Sequence, residues 1–307
     1  MTQVGVLIAA RDAAATVGRA VASALMQAAV SEVIVVDDAS ADGTADAARR
    51  HDDGTGRLLV RSLPGNVGPA ASRNHALGLG SAGVVAVLDA DDYFLPGRIA
   101  AMLQAAGTDW DLAADGLIML REGDAPAAGR RHDFRAEIGS EVVSAETFIA
   151  ASIARPGRQR RELSFMKPLM RRDVLDRMGL RYDPRLRLGE DFILYAEALL
   201  RGARLRLLPG CGYVAVWRPE SLSGSHSGAD LAQLARASLD LMRLDGITPS
   251  QASAIARHAR SVALRAHYRS ALDLKRQRRF LALAAFLSAN MRSIPYMIRE
   301  TARPMSG

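Results

Sequence analysis

The chain has 307 residues, 49% of them apolar, which is room for one large domain or a domain with an appendage. No apolar run reaches the roughly 20 residues of a membrane span, and the lone cysteine, Cys211, excludes an internal disulfide or a cysteine-based zinc site, in keeping with a cytoplasmic protein. The net charge of +7, carried by arginine apart from Lys167 and Lys275, favours anionic partners such as nucleotide phosphates or a membrane surface; nucleic acid is excluded because no basic platform interleaved with aromatics is present.

Val4–Ala10 reads as a buried first strand, without the basic start of a signal peptide. Residues 14–28 have apolar residues at helical spacing. A second strand runs from Glu32 to Asp38, a helix starts at Thr44, a third strand covers 58–60, a helix 69–79 and a fourth strand 84–89. Strands alternating with helices predict an α/β fold with parallel pairing and right-handed crossovers. Ligands in such sheets bind beyond the C-terminal strand ends. Asp37, Asp38, Asp89, Asp91 and Asp92 all fall there.

The run Val84 to Asp92 ends in three carboxylates. On a strand, Asp89 and Asp91 would point to the same side. Clustered carboxylates repel unless a cation or proton neutralises them. Hard oxygen ligands suit Mg²⁺ or Mn²⁺, whose shells are completed by substrate phosphates.

Beyond residue 95 the alternation loosens. Residues 112–120 and 164–170 are candidate strands, and the polar, arginine-rich stretch 121–162 reads as a surface excursion. A helix is expected from Glu190 to Arg201, strands over 204–208 and 213–217, and helices from about Asp230. Lys167 faces either an acceptor or phosphate, or water at a strand end. Near the C-terminus, Lys275, Arg276, Arg278 and Arg279 precede an apolar helix pattern. Phe280, Leu283, Leu287, Met291, Ile294 and Ile298 share one helical face, and Pro295 is expected to break the helix in two. That face either packs on protein or makes a peripheral membrane contact through 275–300.

Five ordered pieces resemble the family 2 glycosyltransferases, which have the GT-A fold. They are Val6 to Asp12, Ile34 to Ser40 with Asp42-Gly43-Thr44, Asn66 to Asn74, Leu88 to Asp92, and Gly189-Glu190-Asp191. The resemblance implies a mostly parallel, Rossmann-like sheet with helices on both faces, spanning residues 1–225. Its nucleotide-binding half is 1–92 and its acceptor half 93–225, followed by a helical extension over 226–307.

The resemblance implies transfer of a sugar, with inversion, from a UDP-sugar (UDP-glucose as first choice) to a growing polysaccharide or lipid-linked saccharide. The segment Phe165 to Asp191 is similar to exopolysaccharide enzymes of the succinoglycan type. Ala10, Asp38, Arg73, Asp89 and Asp91 would bind the nucleotide sugar, with Asp38 on the uracil edge. Arg73 either contacts the nucleotide or pairs with Asp37 or Asp38. Asp91, Asp92 and, as a third ligand, His226 would hold Mn²⁺ or Mg²⁺. Asp191 would be the general base, with Glu190 beside it. Arg11-Asp12 replaces the family's usual aromatic-Asn, so Arg11 would stack on the base through its guanidinium plane.

Other readings are a catalytically silent glycan- or membrane-binding scaffold and a sugar-nucleotide pyrophosphorylase-like enzyme. The latter uses a glycine- and basic-rich first loop, absent here. A nicotinamide-dependent oxidoreductase needs G-x-G-x-x-G after the first strand, where this chain has Ala9-Ala10-Arg11-Asp12. A P-loop is also missing.

Overall fold

The computed structural model describes residues 2–153, 163–217 and 226–302. The end of the expected excursion, 154–162, and the expected domain boundary at residue 225 lie outside the described residues. Two compact units divide between Pro219 and Glu220.

The first unit begins β1 (Val4–Ala10), α1 (Val17–Leu25), β2 (Val30–Asp37), α2 (Thr44–Arg49), β3 (Leu58–Ser62), α3 (Pro69–Leu79), β4 (Val84–Val87). These strands pair in parallel in the order β3-β2-β1-β4. β1, β4 and the second half of β2 are buried on both faces, so they need continuous Val, Ile and Leu rather than alternation. Parallel pairing brings the ends of β1, β2 and β4 to one edge, which is where the acidic residues are carried.

The chain continues through β5 (Tyr93–Phe94), α4 (Arg98–Ala106), β6 (Leu112–Arg121), β7 (Arg130–His132), α5 (Phe134–Ile138), β8 (Val142–Val143), α6 (Ala145–Ala151), β9 (Leu169–Arg171), α7 (Arg172–Arg177), α8 (Glu190–Leu200) and β10 (Leu205–Trp217). β9 lies antiparallel between β4 and β6, and β10 runs parallel to β6. The long pairings are therefore parallel, and short strands add antiparallel links. The insertion of β9 carries the segment that holds Lys167 to the end of β4.

Three sequence expectations change. The stretch after residue 121 is a surface excursion only in part: residues 121–131 stay largely exposed, but the chain forms β7, α5, β8 and α6 and packs back on the sheet. Phe134, Phe148 and Ile149 anchor it in the core, and Phe148 stacks on Phe192 with ring centres 5.7 Å apart. Those anchors are too widely spaced to make a periodic signal. The two expected strands around Pro209-Gly210 are one strand, β10, whose register slips between Leu207 and Tyr213. Gly210 takes φ 101° in that bulge, open to glycine at little cost. Finally, β4 stops at Val87, so strand alternation does not relate Asp89 to Asp91. The acids lie on a turn closed by Asp92 N–H donating to Asp89 O at 3.1 Å.

The second unit is helical: α9 (Gly228–Asp240), α10 (Pro249–Arg276), α11 (Phe280–Ala289) and α12 (Ile294–Thr301). α9 and α10 open with capping boxes, Ser227 with Asp230 and Thr248 with Gln251, each satisfying two backbone donors. α11 and α12 meet at a bend of 88°. The break falls at Asn290 and not at Pro295. Pro295 instead sits in the first turn of α12, where its missing N–H has no partner to lose. Among the described residues no single helix is long and apolar enough to cross a membrane.

Candidate active site

The loops after β1 and β2 are bound to each other. Thr44 Oγ1 accepts from Ala13 N at 2.8 Å, and Asp42 Oδ2 accepts from Ala14 N at 2.9 Å. The Asp42-Gly43-Thr44 motif is thus a fastener between two loops. Ala10 O accepts from Asp38 N at 2.8 Å, extending the pairing past β2. Asp37 accepts from Ser40 and Ser62. Asp38 is buried and accepts from Val67 N at 2.7 Å and Gly68 N at 2.8 Å, tethering the loop that opens α3. Gly68, at φ 87° and ψ 166°, occupies a region reserved for glycine. Asp12 and Ala39 also hold positive φ, 48° and 56°, a local strain typical of binding edges. Arg11 is half exposed, 3.5 Å from Asp12.

Behind this edge lies a buried ionic cluster. Arg73 Nη2 donates to Asp89 Oδ1 at 2.7 Å, and Nη1 reaches Glu190 Oε1 and, at 3.4 Å, Asp191 Oδ1. The expected partner pair, Asp37 and Asp38, is not what Arg73 binds: α3 carries it to the end of β4 and the start of α8. Lys167 Nζ lies 2.6 Å from Asp191 Oδ2 and 2.9 Å from Asp89 Oδ2. Lys167 is 8% exposed, which removes the reading of a solvated strand-end charge.

Two cations therefore alternate with three carboxylates. Burial alone would push Lys167 down, but Asp191 and Asp89 more than reverse it and hold the ammonium above its ordinary range. Burial opposes the charge on Asp89 too, yet Lys167 and Arg73 draw its carboxyl well below the usual value. Glu190 and Asp191 stand in the first turn of α8 behind Gly189, whose φ of 74° makes the entry turn. A helix start favours negative charge, so the backbone supports the same arrangement.

The acidic turn is fixed differently. Asp92 is buried; its Oδ2 accepts from Tyr213 OH at 2.6 Å and its Oδ1 from Val216 N at 2.8 Å. Tyr213 OH also accepts from Asp89 N at 3.2 Å. Burial, then the charges of Asp89 and Asp91, push the Asp92 carboxyl well up. In this arrangement Asp92 is bonded to protein donors, and Asp91 is half-buried on the same turn.

Among the described residues no three His, Cys, Asp or Glu side chains converge as a metal cage. An ion shared with a nucleotide does not need one, because Mg²⁺ and Mn²⁺ take one or two carboxylates plus phosphate oxygens. The hard donor set of the turn fits that use. His226 belongs to the second unit, where its carbonyl accepts from Arg269 Nε at 3.1 Å.

Several residues of the site carried no sequence assignment. Asn74 clamps Tyr182 by two bonds, Nδ2 to Tyr182 O at 2.7 Å and Tyr182 N to Oδ1 at 2.9 Å, placing the ring 5.5 Å from the Arg73 guanidinium. Arg98 pairs with Asp115 at 2.6 Å, donates to Lys167 O at 2.8 Å and lies against the rings of Phe94 and Tyr213. Tyr195 lies four residues beyond Asp191 on α8, a spacing that marks one face. Tyr182 and Tyr213 had no signal at all. Asp191 Oδ1, Arg73 Nε, Tyr182 OH and Tyr195 OH are buried and make no hydrogen bond.

Residues 5–179 match the family model described as glycosyl transferase family 2. The chain is 42% identical to succinoglycan biosynthesis protein ExoU of Rhizobium meliloti, over 97% of this chain and 86% of that one. It is 32% identical to succinoglycan biosynthesis protein ExoO of the same organism, over 98% and 84%. In fold it is similar to S. aureus TarS, solved with UDP-GlcNAc, at a TM-score of 0.61 and 18% identity over 87% of this chain and 72% of that one. It is also similar to the mannosyltransferase PcManGT from Pyrobaculum calidifontis, solved with GDP-Man and Mn²⁺, at a TM-score of 0.58 and 18% identity over 97% and 79%.

Proposed function

The chain belongs to glycosyl transferase family 2 and is a glycosyltransferase of the GT-A fold; from that premise we propose that it moves a sugar, with inversion, from a UDP-sugar to a saccharide or lipid-linked saccharide in exopolysaccharide assembly. UDP-glucose is the first donor to try. The succinoglycan roles named for its relatives support the pathway class. The observation that carries the reaction is Asp191, its Oδ1 without a hydrogen bond and its Oδ2 held by Lys167.

The chemistry follows from those positions. The acceptor hydroxyl attacks the anomeric carbon and gives its proton to Asp191 Oδ1. The new C–O bond forms as the bond to the diphosphate breaks, and UDP leaves with that electron pair. General-base help of this kind is worth about 10²–10⁴ in rate. Glu190 and Asp89 hold Arg73, which with Lys167 keeps Asp191 in one orientation. Asp38 pairs with the uracil edge through lone pairs left beside its two backbone bonds. Asp91 would hold Mn²⁺ or Mg²⁺, which when bound supplies positive charge against the departing diphosphate.

A screen of radiolabelled nucleotide sugars against lipid-linked saccharides, with Mn²⁺ or a chelator, tests the proposal. Transfer from a UDP-sugar that stops under chelation supports it. Transfer only from other nucleotides, or transfer indifferent to chelation, overturns the donor or the metal assignment.

A further inference from the structure

We propose that the second unit docks on an anionic lipid surface through the outward face of α11. α11 is apolar almost all round: Phe280-Leu281-Ala282-Leu283-Ala284-Ala285-Phe286-Leu287. A helix of that kind is stable in water only if covered on every side. The structure covers one side. Leu283, Phe286 and Leu287 are half-buried, and the Phe286 ring meets His267 of α10 edge-on at 5.9 Å. The other side is bare. Leu281 is 90% exposed and Phe280 63%, with Ala284 and Ala285 on the same face, and no residue of α11 is buried. The face expected from the sequence is split: Leu283, Leu287 and Ile294 are half-buried, while Phe280, Met291 and Ile298 stay exposed and Leu281 joins them.

Charge selects the occupant. From Leu274 to Arg299 the chain holds Lys275, Arg276, Arg278, Arg279, Arg292 and Arg299 and not one carboxylate side chain. Arg278 keeps φ 56° at the junction of α10 and α11, where glycine is usual, so the turn that aims α11 also carries charge. A second copy of the same face would set these cations against each other. An anionic bilayer complements them, and its hydrocarbon edge covers Leu281 and Phe280. Together α11 and α12 have the length and apolar composition of a broken or re-entrant span, but their 88° bend and the charges of Arg292 and Arg299 favour a pair lying in the interface.

The test is flotation of the full chain with phosphatidylcholine vesicles, with and without phosphatidylglycerol. Binding is expected only to the anionic vesicles and should weaken as salt is raised. Leu281→Gln with Phe280→Ser should weaken it at least roughly tenfold. Lys275→Gln with Arg276→Gln should weaken it by roughly fivefold per charge removed, and these exposed changes leave the fold intact. No flotation with anionic vesicles overturns the proposal, as does binding unchanged by both pairs. A wild-type dimer in solution that becomes monomeric in Leu281→Gln also overturns it, assigning the face to a second copy.

Discussion

Lys167 Nζ lies 2.6 Å from Asp191 Oδ2, with both side chains buried. Its other contact, Asp89, stands on the acidic turn, so one ammonium joins that turn to the start of α8. Lys167→Met leaves the buried Asp191 and the half-buried Asp89 with Arg73 alone. Breaking a buried pair in this way costs about 3–5 kcal/mol. Urea unfolding should show a loss of that order; an unchanged midpoint would mean that water already screens the pair.

We assign Asp91 to the metal and Asp92 to support of the turn through Tyr213 and Val216. Asp91→Asn should remove the Mn²⁺ dependence of UDP affinity in calorimetry and leave thermal stability nearly unchanged. Asp92→Asn deprives Tyr213 OH and Val216 N of a charged acceptor. It should cost about 1–3 kcal/mol of stability. Were Asp91→Asn to bind UDP with undiminished metal dependence, the metal assignment would move to another residue.

Asp38 is tied to Val67 and Gly68 and is assigned to the uracil edge. Asp38→Ala should therefore weaken UDP binding by roughly tenfold or more, at about 1.5–3 kcal/mol for a hydrogen bond to a charged group. Metal-dependent binding of pyrophosphate should change far less. An equal loss for both ligands would place Asp38 in loop support alone.

Much of this site was legible because each part sits at a strand end or helix start with a sequence mark. Asp38, Asp89 and Asp191 are each preceded by an apolar run or a glycine turn. The 69–79 helix was readable from Gly68-Pro69, since proline at a helix start is pre-organised. What could not be read was which charges meet. Arg73 joins Asp89 and Glu190 rather than Asp37 because β4 and α8 converge in three dimensions, and no local pattern records that. Tyr213 reaches Asp92 only because β10 bulges at Gly210 and then pairs with β5. The β7–α6 stretch was missed because isolated Phe134 and Phe148 anchor an otherwise polar run.

In the second unit, His258 Nδ1 lies 3.1 Å from Ser238 Oγ in a buried contact between α10 and α9. Burial, with Arg265 nearby, pushes its pKa down from 6.5 to about 4. The depressed value means that the folded state resists a proton the unfolded chain accepts. This contribution is full above pH 6.5 and is lost as pH falls through about 4. It amounts to about 3 kcal/mol at most. His258→Gln should unfold with a flatter pH dependence than wild type across that window. Parallel curves would show that the imidazole is already accessible to protons.

The most direct test of the account compares sugar transfer by wild type and Asp191→Asn at saturating UDP-sugar, with the UDP affinity of both measured by calorimetry. The substitution keeps the size of the side chain and removes its basicity. The account predicts a fall in transfer of about 10²–10⁴ or more, with UDP affinity nearly unchanged. Transfer by Asp191→Asn at close to the wild-type rate would contradict it and move the base elsewhere, with Glu190 the first residue to examine.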